Sequence, residues 1–101
     1  MLEMRPICEN CAKPLFNESD EAMICTFECT FCHDCVTNVL QNVCPNCGGG
    51  FSIRPTRPNN CITKNCVSNY PLSTNKIHKP IDSERFKPIL RAFVDVEPRK
   101  R

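Results

Sequence analysis

The chain has 101 residues, 41% of them hydrophobic, with 10 cysteines, no tryptophan and a formal net charge of +2. A domain this small buries too little apolar surface to be secure without disulfides or metal, and the cysteines themselves make up part of the hydrophobic count. No apolar run is long enough to span a bilayer, and Met1 to Cys8 lacks the basic and then apolar segments of a secretory leader, so the expectation is a cytoplasmic protein with no membrane contact, whose reduced cysteines bind metal.

Charge is unevenly spread. Residues 1–50 carry two basic and seven acidic side chains, a net of −5, whereas residues 51–101 carry eleven basic and four acidic ones, a net of +7. The small overall charge therefore hides a dipolar chain.

Along the chain, the first feature is Cys8-x-x-Cys11. The segment AMICTFECTFC, residues 22–32, mixes β-branched and aromatic residues and predicts a small hairpin around Cys25 and Cys29. Cys32-x-x-Cys35 follows. Val36, Val39, Leu40 and Val43 then recur at i, i+3, i+4 and i+7, which predicts a short helix over residues 33–42 with one apolar face. In CPNCGG, residues 44–49, Pro45 presets the turn, Gly48 is free to take positive φ, and the turn amides are expected to point at the thiolates. The stretch GGGFSIRPTRPNN, residues 48–60, reads as a loop leading to a linker. The domain division is thus a metal-binding unit over 1–52 and a basic, partly ordered extension over 53–101. In that extension Phe86, Ile89, Leu90 and Phe93 predict a second helix, capped by Asp82 or Ser83 or else beginning at Pro88. EPRKR closes the chain as a charged tail.

Eight of the cysteines form four pairs between Cys8 and Cys47 with none left over: Cys8/Cys11, Cys25/Cys29, Cys32/Cys35 and Cys44/Cys47. A CxxC turn offers two thiolates to one tetrahedral ion at about 2.3 Å, and four pairs together point to two Zn2+ ions, with disulfide or redox use and an iron–sulfur cluster as the competing readings. Helix length decides which pairs share an ion. A helix between Cys35 and Cys44 would hold its ends roughly 13 Å apart at about 1.5 Å per residue. Sulfurs on one zinc are only about 4 Å apart, given Zn–S near 2.3 Å. An interleaved arrangement follows, with Cys8, Cys11, Cys32 and Cys35 on the first ion and Cys25, Cys29, Cys44 and Cys47 on the second. A single-turn helix with the chain folding back would undo this inference.

The order and spacing of these pairs resemble the RING-type cross-brace, in which the first and third pairs share one zinc and the second and fourth share the other. Cys29 stands where that family usually has histidine, and Ile7 and Pro45 resemble positions of ubiquitin-ligase RING domains. Gly48 replaces the basic residue often found after the last ligand. The segments LEMRPICENCAKPL, AMICTFECTFCHDCVTNVLQNVCPNCGGGF and RPTRP, over residues 2–58, more closely resemble the small bacterial cysteine-rich proteins of domain-of-unknown-function family twelve-seventy-two. That resemblance implies metal binding and brings no activity with it. The expected fold is a small zinc-stabilised α+β unit of RING-like or treble-clef type, with a hairpin, one short helix and the extension.

His33 reads as solvated. Cys61 and Cys66 with His78 lack a fourth ligand and read as unpaired or buried cysteines, which oxidation would join. Glu18, Asp20, Glu21 and Glu28 read as a solvated face, because all-cysteine sites are closed and leave no position for a catalytic water. No catalytic residue is expected, and the chain reads as a structural or interaction module with a protein partner. The rivals are a nucleic-acid regulator acting through RPTRP and PRKR, a RING-like ligase and a thiol or zinc sensor. Eight thiolates and two zincs would take the first half from −5 to about −9, which repels phosphate and opens the hypothesis that the +7 half lies against it.

Overall fold

The computed structural model describes residues 1–101. Three short strands form an antiparallel sheet in the order β2-β1-β3: β1 is Ala22–Ile24, β2 Thr30–Cys32 and β3 Ser52–Ile53. β1 and β2 are the predicted hairpin, with Ala22 opposite Cys32 and Ile24 opposite Thr30. Its turn is closed by Glu28 N–H donating to Cys25 O, and Glu28 takes a left-handed φ of 65°. β3 pairs with the other edge of β1, Met23 opposite Ile53. This strand arises within the stretch expected to be a loop, because a two-residue strand is too short to show alternation in sequence.

Every residue of β2 is buried, and Phe31 meets Phe51 edge to face with centroids 5.5 Å apart. Leu15, Ala22, Val36, Leu40, Val43 and Phe86 complete the apolar core around the cysteines.

The first helix is shorter and differently wound than the spacing predicted. α1, His33–Cys35, runs into a single π turn, Val36–Leu40. Gln41 and Asn42 then take left-handed φ values of 50° and 59° and stop it. Winding over five residues rather than four rotates the face. Val36, Leu40 and Val43 are buried, but Val39 is 41% exposed.

The second helix, α2, spans Ser83–Phe93 and is capped by Asp82, whose carboxylate accepts from the N–H groups of Glu84 and Arg85. It begins at Ser83, so Pro88 lies inside it rather than in its first turn. Phe86 is buried in the core, and Ile89, Leu90 and Phe93 pack against it. No helix is long and apolar enough to cross a membrane.

The extension folds back over the cysteine-bearing half. Ser73 N–H donates to Met4 O, and Lys79 N–H to Glu9 O. The five ion pairs are Arg5–Glu3, Arg5–Glu9, Lys13–Glu21, Arg85–Asp82 and Lys100–Glu97, and each stays within one half of the chain. Where cations of the second half reach the first, at Arg54, Arg57 and Arg101, they donate to backbone carbonyls rather than to carboxylates.

Candidate metal centre

The thiols of Cys8, Cys11, Cys32 and Cys35 come together with their sulfurs within 4.8 Å of one another, and those of Cys25, Cys44 and Cys47 form a second group by the same measure. The grouping alternates along the chain. Local structure explains it. β2 ends at Cys32 and the helical segment starts at once, so Cys32 and Cys35 share a helix entrance. Cys25 lies just past β1 at the start of the hairpin turn. The π turn and the left-handed pair after it carry the chain across to Cys44.

Cys29 lies outside the second group of mutually close sulfurs. It is buried, and its sulfur accepts a hydrogen bond from the Asn46 side-chain amide at 3.3 Å. Burial pushes its thiol up, the Asn46 amide pulls it down, and the neighbouring Cys25 side chain raises it again. Cys29 therefore borders the second group without closing it.

Backbone amides converge on the sulfurs as the CPNCGG turn predicted. Asn46 N–H donates to Cys44 Sγ at 3.4 Å and Gly49 N–H to Cys47 Sγ at 3.4 Å. The hairpin turn does the same, with Phe27 N–H 3.3 Å from Cys25 Sγ. In the first group Asn10 Nδ2 donates to Cys35 Sγ at 3.3 Å. Such donors favour thiolate over thiol. Burial acts the other way, pushing the thiols of Cys32, Cys35 and Cys44 up. Cys11 is the exception. Burial raises it, but hydrogen bonds from the Lys13 backbone and from Cys8, Cys32 and Cys35 outweigh that and lower it. Clustered thiols, most of them buried, with N–H groups aimed at them form an all-sulfur donor set that suits a soft or borderline divalent ion.

Several residues have roles that the sequence did not reveal. Glu9, between the first two cysteines, is 4% exposed. Its carboxylate accepts from Arg5 Nη1 at 2.8 Å and from Thr30 N–H at 2.7 Å, tying the first knuckle to β2. Arg54 is 2% exposed and donates to the carbonyls of Arg5, Leu15 and Phe16. Arg57 donates to Leu2 O and Tyr70 O. The arginines of RPTRP are thus internal staples, a role that composition alone renders as a basic patch. Gly48 has φ 78°, and a Cβ there would meet the Phe93 ring at 2.5 Å. The position where RING domains often carry a basic residue is filled by an aromatic ring from α2.

Cys61 and Cys66 are joined as a disulfide, so they are not unpaired and offer no thiolate to a third metal site. His78 is directed elsewhere, its Nε2–H donating to Asn10 O at 3.2 Å. His33 is exposed, as are Glu18 and Asp20, while Glu21 and Glu28 are half-buried.

With this geometry in hand, comparison with known proteins places the chain. The family model described as a protein of unknown function, DUF1272, matches residues 1–57. The chain belongs to this family. An uncharacterized protein of Rhizobium meliloti (strain 1021) is 49% identical over 80 residues, covering 79% of this chain and 89% of the relative. That alignment is longer than the family segment, so the likeness runs on into the extension. No solved structure matches. The DUF1272 segment contains both cysteine groups, together with Glu9, Asn46, β3 and the Arg54 and Arg57 staples.

Proposed function

We propose that this chain is a zinc-stabilised, non-enzymatic module that presents a surface to a protein partner. Cys8, Cys11, Cys32 and Cys35 hold one Zn2+, and Cys25, Cys44 and Cys47 hold the other, with Cys29 at the edge of that group as its weaker fourth ligand, in a RING-like cross-brace. The observation that carries this reading is the alternation of two largely buried thiol groups along the chain, Cys11 exposed and Cys47 half-buried among them, with N–H donors aimed at their sulfurs. Zinc would supply charge compensation and folding energy, since a core this small is held mainly around the cysteines. Four thiolates on one ion leave no open position and quench its acidity, so the sites fit structure rather than hydrolysis. Exposed Phe16, Phe27 and Ile53 supply apolar contact points for a partner.

Native mass spectrometry of the purified protein tests the metal reading. Two zinc ions per chain, lost together with helical and strand signal on chelation, are expected. A circular dichroism spectrum indifferent to strong chelator would overturn it. Binding to nucleic acid through the extension is the weaker alternative, since Arg54, Arg57 and Arg101 are all engaged with carbonyls.

A further inference from the structure

The C-terminal segment touches the turns that carry the two cysteine groups, and it does so at both of its ends. At one end, Asn10 sits inside the Cys8-x-x-Cys11 knuckle. Its side chain donates to Cys35 Sγ at 3.3 Å and accepts from Ile81 N–H at 2.9 Å. Its carbonyl accepts from His78, and the carbonyl of Glu9 accepts from Lys79 N–H at 2.7 Å. One amide side chain thus links a first-group sulfur directly to residues 78–81. At the other end, Phe93 covers Gly48, immediately after Cys47, and Pro98 lies against Gly50. Arg101 Nη1 donates to Asn42 O at 2.6 Å and to Gly48 O at 3.2 Å, holding the same knuckle. Between these anchors the packing is looser, with a cavity of about 390 Å3 among Glu9, Phe31, Pro45, Arg85, Phe86 and Ile89.

We infer that residues 78–101 form a strap whose docking is coupled to the metal content of both sites. Its first anchor reads the Cys8 group and its second reads the Cys44 group. The inference rests on the zinc reading above. Its physics is reciprocal linkage: contacts that need a knuckle in its metal-bound shape must in turn favour the bound metal by the same factor. Asn10 is the clearest element, because a thiolate held by zinc fixes the amide orientation that leaves its oxygen facing Ile81 N–H. Charge acts in the same direction. Zinc loading makes the first half more negative, and the strap carries seven basic and four acidic side chains, a net of +3. A strap released on metal loss uncovers the apolar side of α2, which turns metal content into a change of surface.

The test follows zinc release from the full zinc-loaded chain into excess chromophoric chelator. Cys44→Ser identifies which kinetic phase belongs to the second group, because that phase disappears. Phe93→Ala should speed the second-group phase about tenfold, equivalent to about 1.4 kcal/mol, and change the first-group phase less than twofold. Ile81→Pro, which removes the N–H given to Asn10, should do the reverse. Phe93→Leu should restore most of the wild-type rate. In the Cys44→Ser protein, amide exchange should rise through α2 while Ile81 stays protected. Unchanged rates in both variants overturn the strap while leaving the two-zinc reading standing, and so does equal acceleration of both phases in each variant. A wild-type protein that holds no zinc overturns both.

Discussion

Replacing Glu9 with alanine tests how the first knuckle is locked to the sheet. The carboxylate is almost fully buried and has two partners, the Arg5 guanidinium and the N–H of Thr30, a residue with no exposure. Removing one partner of a buried pair costs roughly 3–5 kcal/mol, and an orphaned buried N–H accounts for about 1–3 kcal/mol of such losses. Arg5 retains Glu3 at 2.7 Å and is 16% exposed, so the lower end applies, about 3 kcal/mol. Metal binding and folding are coupled in so small a core, and the loss should therefore appear as roughly a hundredfold fall in overall zinc affinity. Competition with a calibrated chelator measures it. Glu9→Gln keeps an acceptor for Thr30 N–H and should lose only about tenfold. An alanine variant within threefold of wild type would refute the lock. A glutamine variant as weak as alanine would move the effect from the hydrogen bond to the charge.

Other expectations concern the cysteines and the turn behind them. Cys44→Ser should abolish one zinc by native mass spectrometry, whereas Cys29→Ser should retain it with reduced affinity, because Cys29 borders the three-thiol group; equal loss in both would contradict that distinction. The thiols of Cys29, Cys32, Cys35 and Cys44 are raised in the fold, mainly by burial. In the metal-free chain their contribution to stability is therefore present below the unfolded value of about 8.5 and lost as pH climbs through the folded values. With zinc the dependence reverses, since the metal needs thiolates and protons displace it as pH falls. Circular dichroism of the two forms from acid to alkaline pH should show these opposite trends. Gly48→Ala combines a left-handed backbone with a clash against Phe93, and should lower stability by about 2–4 kcal/mol in thermal unfolding.

The legible parts of this molecule were those with periodicity or spacing. The hairpin at 22–32 came from its β-branched and aromatic residues, and α2 from Phe86, Ile89, Leu90 and Phe93, with the structure deciding for Asp82 as its cap over Ser83 or a start at Pro88. The alternation of the thiol groups was expected from the length of a helix between Cys35 and Cys44; the groups do alternate, but only a single π turn lies between those two residues, so the hairpin and the left-handed pair Gln41–Asn42 separate them rather than helix length. Val39 was misplaced because the spacing assumes four residues to a turn. β3 escaped because two residues carry no pattern. The partners of Arg54 and Arg57 were not legible, because a charge in sequence says nothing about which carbonyls surround it. Glu9 was passed over because burial of a carboxylate depends on a partner, Thr30 N–H, that lies 21 residues away. The pairing of Cys61 with Cys66 stayed open, because a four-residue spacer fits unpaired or buried thiols as well as a disulfide, and here they are bonded.

β3 and Arg54 come after the last of the eight paired cysteines. On a ribosome the chain emerges from its N-terminus, so all eight paired thiols are available before the third strand or the arginine that staples Leu15 and Phe16 has appeared. Metal capture and hairpin pairing can therefore precede closure of the sheet, and Pro98 and Arg101, made well after Cys47, settle over the final knuckle. A chain halted near residue 50 would hold all its ligands and yet lack the strand and the staple that fix them in place.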